Sequence, residues 1–291
     1  MIRLLGYFFG VAIMIGLLAA AGVAMFVGHL AKDLPDYEVL ASYEPPVTTR
    51  IHASDGALMG EFARERRLYL PIQAVPDRLK AAFLSAEDKN FYKHPGVDVS
   101  GLFRAVLNNL RTGSKQGAST ITQQVAKNFL LTSDQTYERK IKEMLLSFRI
   151  EQAYSKDRIL ELYVNEIYFG LGAYGVAGAA LTYFDKSVNE LTLAEAAYLA
   201  ALPKGPNNYH PFRHTERALE RRNWVIDQMV DNGYATREEG VKAKSEPLGV
   251  NLRRSNNYLF AGEYFTEEVR REIIARYGQD ALYEGGLSVR T

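Results

Sequence analysis

The chain has no cysteine among its 291 residues. That excludes a disulfide framework, a zinc–cysteine site and a thiol nucleophile, and it suits an oxidising extracytoplasmic compartment as well as many cytosolic ones. Net charge is nearly absent too: 35 basic against 34 acidic residues leave +1. No bulk field therefore favours nucleic acid, and any anion site must be local. Internal repeats, low-complexity tracts and the Walker phosphate-loop spacing are all missing. Residues 4–31 lack Asp, Glu, Lys and Arg altogether.

That last absence is informative. An uncharged stretch rich in Leu, Ala, Val, Ile, Phe and Gly is long enough, as a helix, to cross about 30 Å of hydrocarbon. It exceeds the roughly 7–15-residue apolar core of a cleaved signal peptide, the alternative reading. Arg3 and the amino terminus precede it, while Lys32 and Asp33 offset each other after it. The positive-inside bias then places residues 1–6 in the cytoplasm, 7–29 in the inner membrane as a single pass, and the remainder outside. Residues 30–49, with Pro35, Pro45 and Pro46, read as an extended juxtamembrane linker. Two short strands, Thr48–Ala53 and Leu58–Phe62, joined at Ser54-Asp55-Gly56, read as a β-hairpin. Helical patterns dominate from Asp77 to Tyr234. Thr192-Leu193-Ala194-Glu195 and Thr236-Arg237-Glu238-Glu239 are capping boxes that open helices. The expected domain spans residues 50–244, and residues 245–291 form a linker and the start of a further, truncated region, with a charged helix near Glu263–Tyr277 and a strand after Gly285-Gly286.

Three segments hold candidate chemistry. Glu87-Asp88 lies where the apolar run 79–86 meets a polar, aromatic and Pro-Gly stretch. A carboxylate at the mouth of a core helix is partly desolvated, which raises its pKa toward general-base values; an acidic helix end is the plainer reading. Gly117 to Gln124 is a Gly-led loop opening a helix, able to bind phosphate through backbone N–H groups or to serve only as a cap. On the helix 137–154, Tyr137, Ile141, Met144, Leu145 and Phe148 form an apolar stripe expected to face the core. Arg139, Lys140 and Glu143 lie on the opposite side, where an ordinary solvated ion pair is the plainer reading.

Taken together, the segments closely resemble glycosyltransferase family 51, the peptidoglycan glycosyltransferase module of class A penicillin-binding proteins, nearest their 1A type. Five stretches carry the resemblance: Glu-Asp-x-x-Phe-x-x-His-x-Gly at 87–96, Gly-Ala-Ser-Thr-Ile-Thr-Gln-Gln at 117–124, Arg-Lys-x-x-Glu at 139–143, the run from Ile159 to Gly175, and Leu191 through His210-Pro211. Two positions depart from the family pattern: Ala118 stands where a second Gly is common, and Asp185 where Gly is usual. Class A members continue into a transpeptidase; this chain has no Lys-Thr-Gly motif and is expected to stop where that domain begins.

The resemblance implies a mainly α, lysozyme-like glycosyltransferase domain after one transmembrane helix, with the short hairpin before it. The implied reaction joins lipid II units through β-1,4 bonds, with inversion and release of undecaprenyl diphosphate. Glu87 would be the general base on the acceptor's 4-hydroxyl. Lys127, Arg139 and Lys140 would meet the leaving diphosphate, and a divalent cation, magnesium or manganese, is left open there. Glu143, counted with Glu87 as catalytic, would orient those charges. Thr120, Gln124 and Asn128 would line the donor cleft, and Asp88, Phe91 and His94 would hold the first motif. The implied partners are lipid II, the lipid-linked growing glycan, the bilayer and other cell-wall synthesis proteins, with no nucleic acid. Leu102, Phe103, Leu107, Phe129, Leu130 and Leu131 read either as bilayer contacts or as core. Two rivals remain: a lysozyme-like enzyme that cleaves glycan, and a non-catalytic scaffold for wall assembly.

Overall fold

A computed structural model describes residues 2–41, 43, 49–56, 58–62, 66–112, 117, 119–132, 134, 136–252 and 263–291. Ala118, Pro45 and Pro46 lie outside the described residues. The chain opens with helix α1 (Ile2–Lys32), followed by the strands β1 (Thr49–His52), β2 (Leu58–Phe62) and β3 (Arg66–Arg67). Then come α2 (Asp77–Glu87), α3 (Val99–Thr112), α4 (Ile121–Leu130), α5 (Tyr137–Ala153) and α6 (Lys156–Glu166). A small ribbon, β4 (Tyr168–Gly170) and β5 (Ala173–Tyr174), leads into α7 (Val176–Phe184), α8 (Leu193–Ala201), α9 (Thr215–Asp231) and α10 (Arg237–Ser245). The last elements are α11 (Glu263–Tyr277), α12 (Gln279–Glu284) and β6 (Ser288–Arg290).

The fold is mainly helical, as expected, and both capping boxes form. Thr192 and Thr236 accept the backbone N–H of Glu195 and Glu239, whose side chains reach back to the cap. Asp185, the departure from Gly, adopts φ 53° at the end of α7. Asp tolerates this left-handed cap better than most residues with a Cβ, so the substitution fits its position.

One core spans α2 and α4 to α10, and α8 is almost wholly enclosed within it. The expected hairpin β1–β2 forms, with Thr49 opposite Phe62. Its β1 also pairs in parallel with β6, and a second small core of Ile51, Ile273 and Leu282 joins the hairpin to α11 and α12.

Helix α1 is long and apolar enough to cross a membrane over Ile13–Lys32. Leu17, Leu18, Val23 and Met25 on it stand exposed, an arrangement suited to hydrocarbon rather than water. Below it the chain docks on the domain instead of hanging free. Leu30 and Leu40 are fully buried. Arg149 donates to the Ala31 carbonyl at 3.1 Å, Tyr154 to Tyr37 O at 3.0 Å and Arg158 to Leu40 O at 3.2 Å. Side chains of α5, its C-terminal cap and α6 thus strap residues 31–40 to the domain.

The apolar stripe expected to bury α5 does not do so. Tyr137 is 94 % exposed and Phe148 39 %, while the enclosed face is Glu143, Leu146, Ser147 and Ile150. Those four also follow the i, i+3, i+4, i+7 pattern. Counting apolar residues selected the wrong stripe because the buried one includes a carboxylate whose charge its own helix neutralises. The open alternative for the six apolar residues resolves by element. Leu102, Phe103 and Leu107 on α3 are exposed, whereas Phe129, Leu130 and Leu131 pack on the main core.

Candidate active site

Glu87 is the last residue of α2, a helix whose Leu79, Ala81, Ala82, Phe83 and Leu84 are all buried. Asp88 follows with extended backbone (φ −159°) and ends the helix. The Glu87 carboxyl therefore emerges from the core rather than from an open surface. Burial raises its pKa, and the Gln124 hydrogen bond and the Arg221 and Lys204 charges pull the other way without cancelling the rise. Gln124 Nε2 donates to Glu87 Oε2 at 2.8 Å.

Asp88 points inward and organises the turn that follows. It accepts the backbone N–H of Ile121 at 3.0 Å and His94 Nε2 at 2.9 Å. His94 Nδ1 in turn accepts the Gly96 N–H at 3.1 Å, which assigns the ring proton to Nε2, facing Asp88. Phe91 is buried, with the Lys156 ammonium 4.5 Å from its ring centroid. Gly96 has φ +103°, and a Cβ there would lie 2.8 Å from the Ser147 carbonyl oxygen of α5. Asp88, Phe91, His94 and Gly96 thus fasten the loop after Glu87 to α4 and α5.

Thr120 belongs to the same scaffold. It is buried, its hydroxyl donates to Gly96 O at 2.6 Å, and it forms a capping box with Gln123. The Ile121 N–H is taken by Asp88 and the Gln123 N–H by Thr120, so the helix start expected as a phosphate cradle is capped from within. Its outward face is available instead. Gln124, Lys127 and Asn128 share one side of α4 at i, i+3, i+4 spacing, with Lys127 and Asn128 exposed.

On α5, Glu143 has a side chain only 3 % exposed. Arg139 Nη1 donates to one of its oxygens and Lys140 Nζ to the other, the latter at 2.6 Å. Lys140 also reaches Ser119 Oγ at 2.8 Å, just ahead of α4. The cluster carries one net positive charge. The segment 119–124 therefore touches Glu87 through Gln124 and the cationic cluster through Ser119. Among the described residues no group of three His, Asp or Glu converges as a metal site, and both Glu143 oxygens already face cations. Among the described residues these side chains do not assemble a protein site for a divalent ion.

Two groups near Glu87 escaped the sequence reading. Lys204 follows α8 and Arg221 lies on α9; both act on the Glu87 charge. The adjacent Arg222 has a different task. It is buried and donates to the carbonyls of Lys244, Glu246 and Pro247 around the end of α10. The pair Arg221-Arg222 in a sequence gives no sign of which member faces the site. Asn165 likewise proves structural: its amide bonds Leu70 N–H and C=O and the Glu161 carbonyl.

The family model described as Transglycosylase matches residues 55–230. The chain belongs to the transglycosylase family. Its relatives include penicillin-binding protein 1A of Rickettsia conorii, 48 % identical over 94 % of this chain and 35 % of that protein, and penicillin-binding protein 1A of Escherichia coli, 41 % identical over 98 % and 33 %. A crystal structure of penicillin-binding protein 1A from Haemophilus influenzae is 30 % identical, covers 86 % of this chain and 27 % of its own, and superposes with a TM-score of 0.50. The chain spans about a third of the length of the curated relatives it matches. The resemblance to glycosyltransferase family 51 is thus established. The match covers α2 to α9 and so includes every candidate residue named above.

Proposed function

We propose that this domain polymerises lipid II at a membrane surface, with Glu87 as general base. The observation that carries the reading is a desolvated carboxylate (Glu87) linked through one short segment to a partly exposed cationic cluster built on buried Glu143 (Arg139, Lys140, Glu143). A sugar hydroxyl is a weak nucleophile, and a base whose pKa lies above the ordinary carboxylate range accepts its proton more readily. As Glu87 takes the 4-hydroxyl proton, the acceptor oxygen bonds to the donor's anomeric carbon from the face opposite the leaving group. The bond to the lipid diphosphate breaks, its electron pair leaves with the phosphate oxygen, and the anomeric configuration inverts. Arg139, Lys140 and the exposed Lys127 stabilise the departing charge. Glu143 holds Arg139 and Lys140 in place before substrate arrives. Asp88, His94, Phe91 and Thr120 keep Glu87 and α4 in register; Gln124 fixes the base, and Asn128 lines the cleft beside it.

The exposed α1 supports anchoring in the inner membrane, with the amino terminus cytoplasmic and the domain outside. Exposed Leu102, Phe103 and Leu107 on α3 give the domain a further apolar face for the bilayer that carries the substrate. A glycan-cleaving enzyme would need an acid but no site for a diphosphate, so the Arg139–Lys140–Glu143 cluster favours synthesis. Polymerisation of labelled lipid II by the purified protein in detergent, with Glu87→Gln alongside, tests the proposal. Polymer from the wild type and none from the variant is the expected result. Release of soluble fragments from sacculi without lipid II consumption would make it a lytic enzyme, and a folded, lipid-binding but inert wild type would leave the scaffold.

A further inference from the structure

A cavity of about 470 Å³ opens between the loop that follows Glu87 and the end of α5. Its size falls in the range of small-ligand sites. Tyr92, Lys93 and Pro95 form one wall, and Phe148, Gln152 and Tyr154 form the other. The walls are fastened to each other before any ligand arrives. Tyr92 Oη donates to Asp157 at 3.0 Å, and Lys156 Nζ donates to the His94 carbonyl and to Glu151, each at 2.7 Å. Lys156 and Glu151 neutralise one another, and His94 is engaged by Asp88 and the Gly96 N–H. Lys93 is left over. It is exposed and, among the described residues, makes no ion pair or side-chain hydrogen bond. The lining thus offers one uncommitted positive charge, the exposed amide of Gln152 and the exposed rings of Tyr92 and Phe148.

The position of the cavity narrows what can reach it. Tyr154, a lining residue, donates to Tyr37 O in the juxtamembrane strap. Arg149, next to Phe148, donates to the carbonyl of Ala31, inside the apolar span Ile13–Lys32. From Arg149 to Tyr154 the chain advances on the order of 8 Å. The polar headgroup layer extends roughly 5–8 Å beyond the hydrocarbon on each side of a bilayer. On its other flank the loop wall runs through Gly96 into α3, where Val99, Leu102, Phe103 and Leu107 are exposed. The cavity therefore lies between two elements that face the bilayer, at headgroup depth. Tyrosines in its walls suit that depth, since they concentrate at membrane–water interfaces.

We propose that this cavity binds the headgroup of an anionic phospholipid, of the phosphatidylglycerol type, from the leaflet beside the domain. Lys93 and Gln152 take the phosphodiester, while Phe148, Tyr92, Pro95 and Tyr154 enclose the glycerol and the first acyl carbons. The proposal rests on reading α1 as a membrane anchor, and not on the role of Glu87. A zwitterionic lipid brings an ammonium of its own, and the carboxylates bordering the cavity are already engaged: Glu151 by Lys156 and Thr122, Asp157 by Tyr92. Preference for a net negative headgroup follows from that arrangement.

The test titrates the full delipidated chain in neutral detergent with phosphatidylglycerol or phosphatidylcholine and counts bound lipids by native mass spectrometry. Wild type should retain one phosphatidylglycerol in preference to phosphatidylcholine. Lys93→Glu, which reverses the free charge, and Gln152→Trp, which fills the cavity from the opposite wall, should each weaken that binding about tenfold or more. Lys242→Glu makes the same change of charge at an exposed position on α10 and should bind as wild type does. Equal retention of the two lipids would overturn the proposal, as would equal losses in Lys93→Glu and Lys242→Glu, which would reduce the effect to bulk charge. If Lys93→Glu fails to fold, Gln152→Trp decides: undiminished binding refutes the cavity as the site. Displacement of the lipid by millimolar inorganic phosphate would make it a site for free phosphate and refute the lipid assignment. Flotation with phosphatidylcholine vesicles tests α1 separately. A chain that stays behind loses the anchor reading, whereas one that floats without retaining phosphatidylglycerol keeps its anchor and loses the site.

Discussion

Gly96→Ala isolates the contact that holds the loop after Glu87 against α5. Gly96 combines φ +103° with a Cβ direction that meets the Ser147 oxygen at 2.8 Å and its carbon at 2.9 Å. Both are backbone atoms of α5, one turn after Glu143, and cannot rotate away as a side chain would. The left-handed conformation costs a residue with a Cβ about 1–2 kcal/mol. Forcing an extra carbon against packed backbone adds about 1–3 kcal/mol. The sum, about 2–5 kcal/mol, corresponds to a fall in melting temperature on the order of 10 °C for a domain of this size. Gly233→Ala provides the control, since it has φ +76° but nothing within 4 Å of its Cβ. It should show the conformational cost alone. Thermal unfolding of both variants in the same detergent separates the two terms, and polymerisation at a temperature where Gly96→Ala remains folded reports on the site. Similar losses in the two variants would refute the close-approach argument. A destabilised Gly96→Ala with full activity would break the proposed link between this contact and catalysis.

Glu87→Gln should abolish polymerisation yet raise thermal stability. The folded pKa of Glu87 lies above its unfolded value, so stability falls as pH rises through the interval between them, where the unfolded chain releases a proton that the folded one keeps. The stabilisation should thus be larger at pH 8 than at pH 4 by scanning fluorimetry, and equal shifts would contradict it. Glu143→Gln leaves Arg139 and Lys140 with a neutral partner, and because both cations are partly exposed the expected loss is about 1–3 kcal/mol in urea, accompanied by a severe fall in rate. Near-normal turnover would reduce Glu143 to a structural ion pair. Leu40→Ala empties a fully buried position in the strap and should cost about 2–5 kcal/mol while speeding proteolysis between residues 31 and 43; unchanged cleavage would mean that the strap does not depend on Leu40.

The helical architecture was legible in the sequence where local signals act alone. The boxes at Thr192 and Thr236 sit at helix starts because a hydroxyl and a carboxylate three residues apart satisfy backbone donors wherever the chain goes. The helix at Glu263–Tyr277 likewise follows from its own periodicity. The raised pKa of Glu87 was also accessible, since an apolar run ending in a charged residue implies desolvation. Three features were not. Helix α5 offers two stripes of helical period, and only the packing of α4 and α6 decides that the one with Glu143 is enclosed. The juxtamembrane residues carry prolines that argue for extended chain, yet the partners that dock them, Arg149, Tyr154 and Arg158, lie more than a hundred residues away. Arg221 and Lys204 come from distant helices, and nothing in their local sequence indicates that they converge on Glu87.

The two glutamates are set in opposite electrostatic surroundings, and their positions on helices explain why. Glu87 closes α2 at its C-terminus, where unpaired carbonyls and the negative pole of the helix disfavour a second negative charge. Burial and Asp88 act in the same direction. Without opposing donors such a carboxyl would stay protonated and could not act as a base. Gln124, Lys204 and Arg221 supply that opposition from three separate elements. Glu143 lies mid-helix with cations three and four residues before it, so its charge is satisfied locally and its oxygens are occupied. A carboxylate so fully engaged is well suited to hold two cations in place, where the proposed reaction needs them for a diphosphate. In the proposed reading the motif that contains Glu87 provides the reactive group, whereas α4, the turn after α8 and α9 temper its proton affinity. Substitutions on those elements should change the pH at which the enzyme works before they change what it makes.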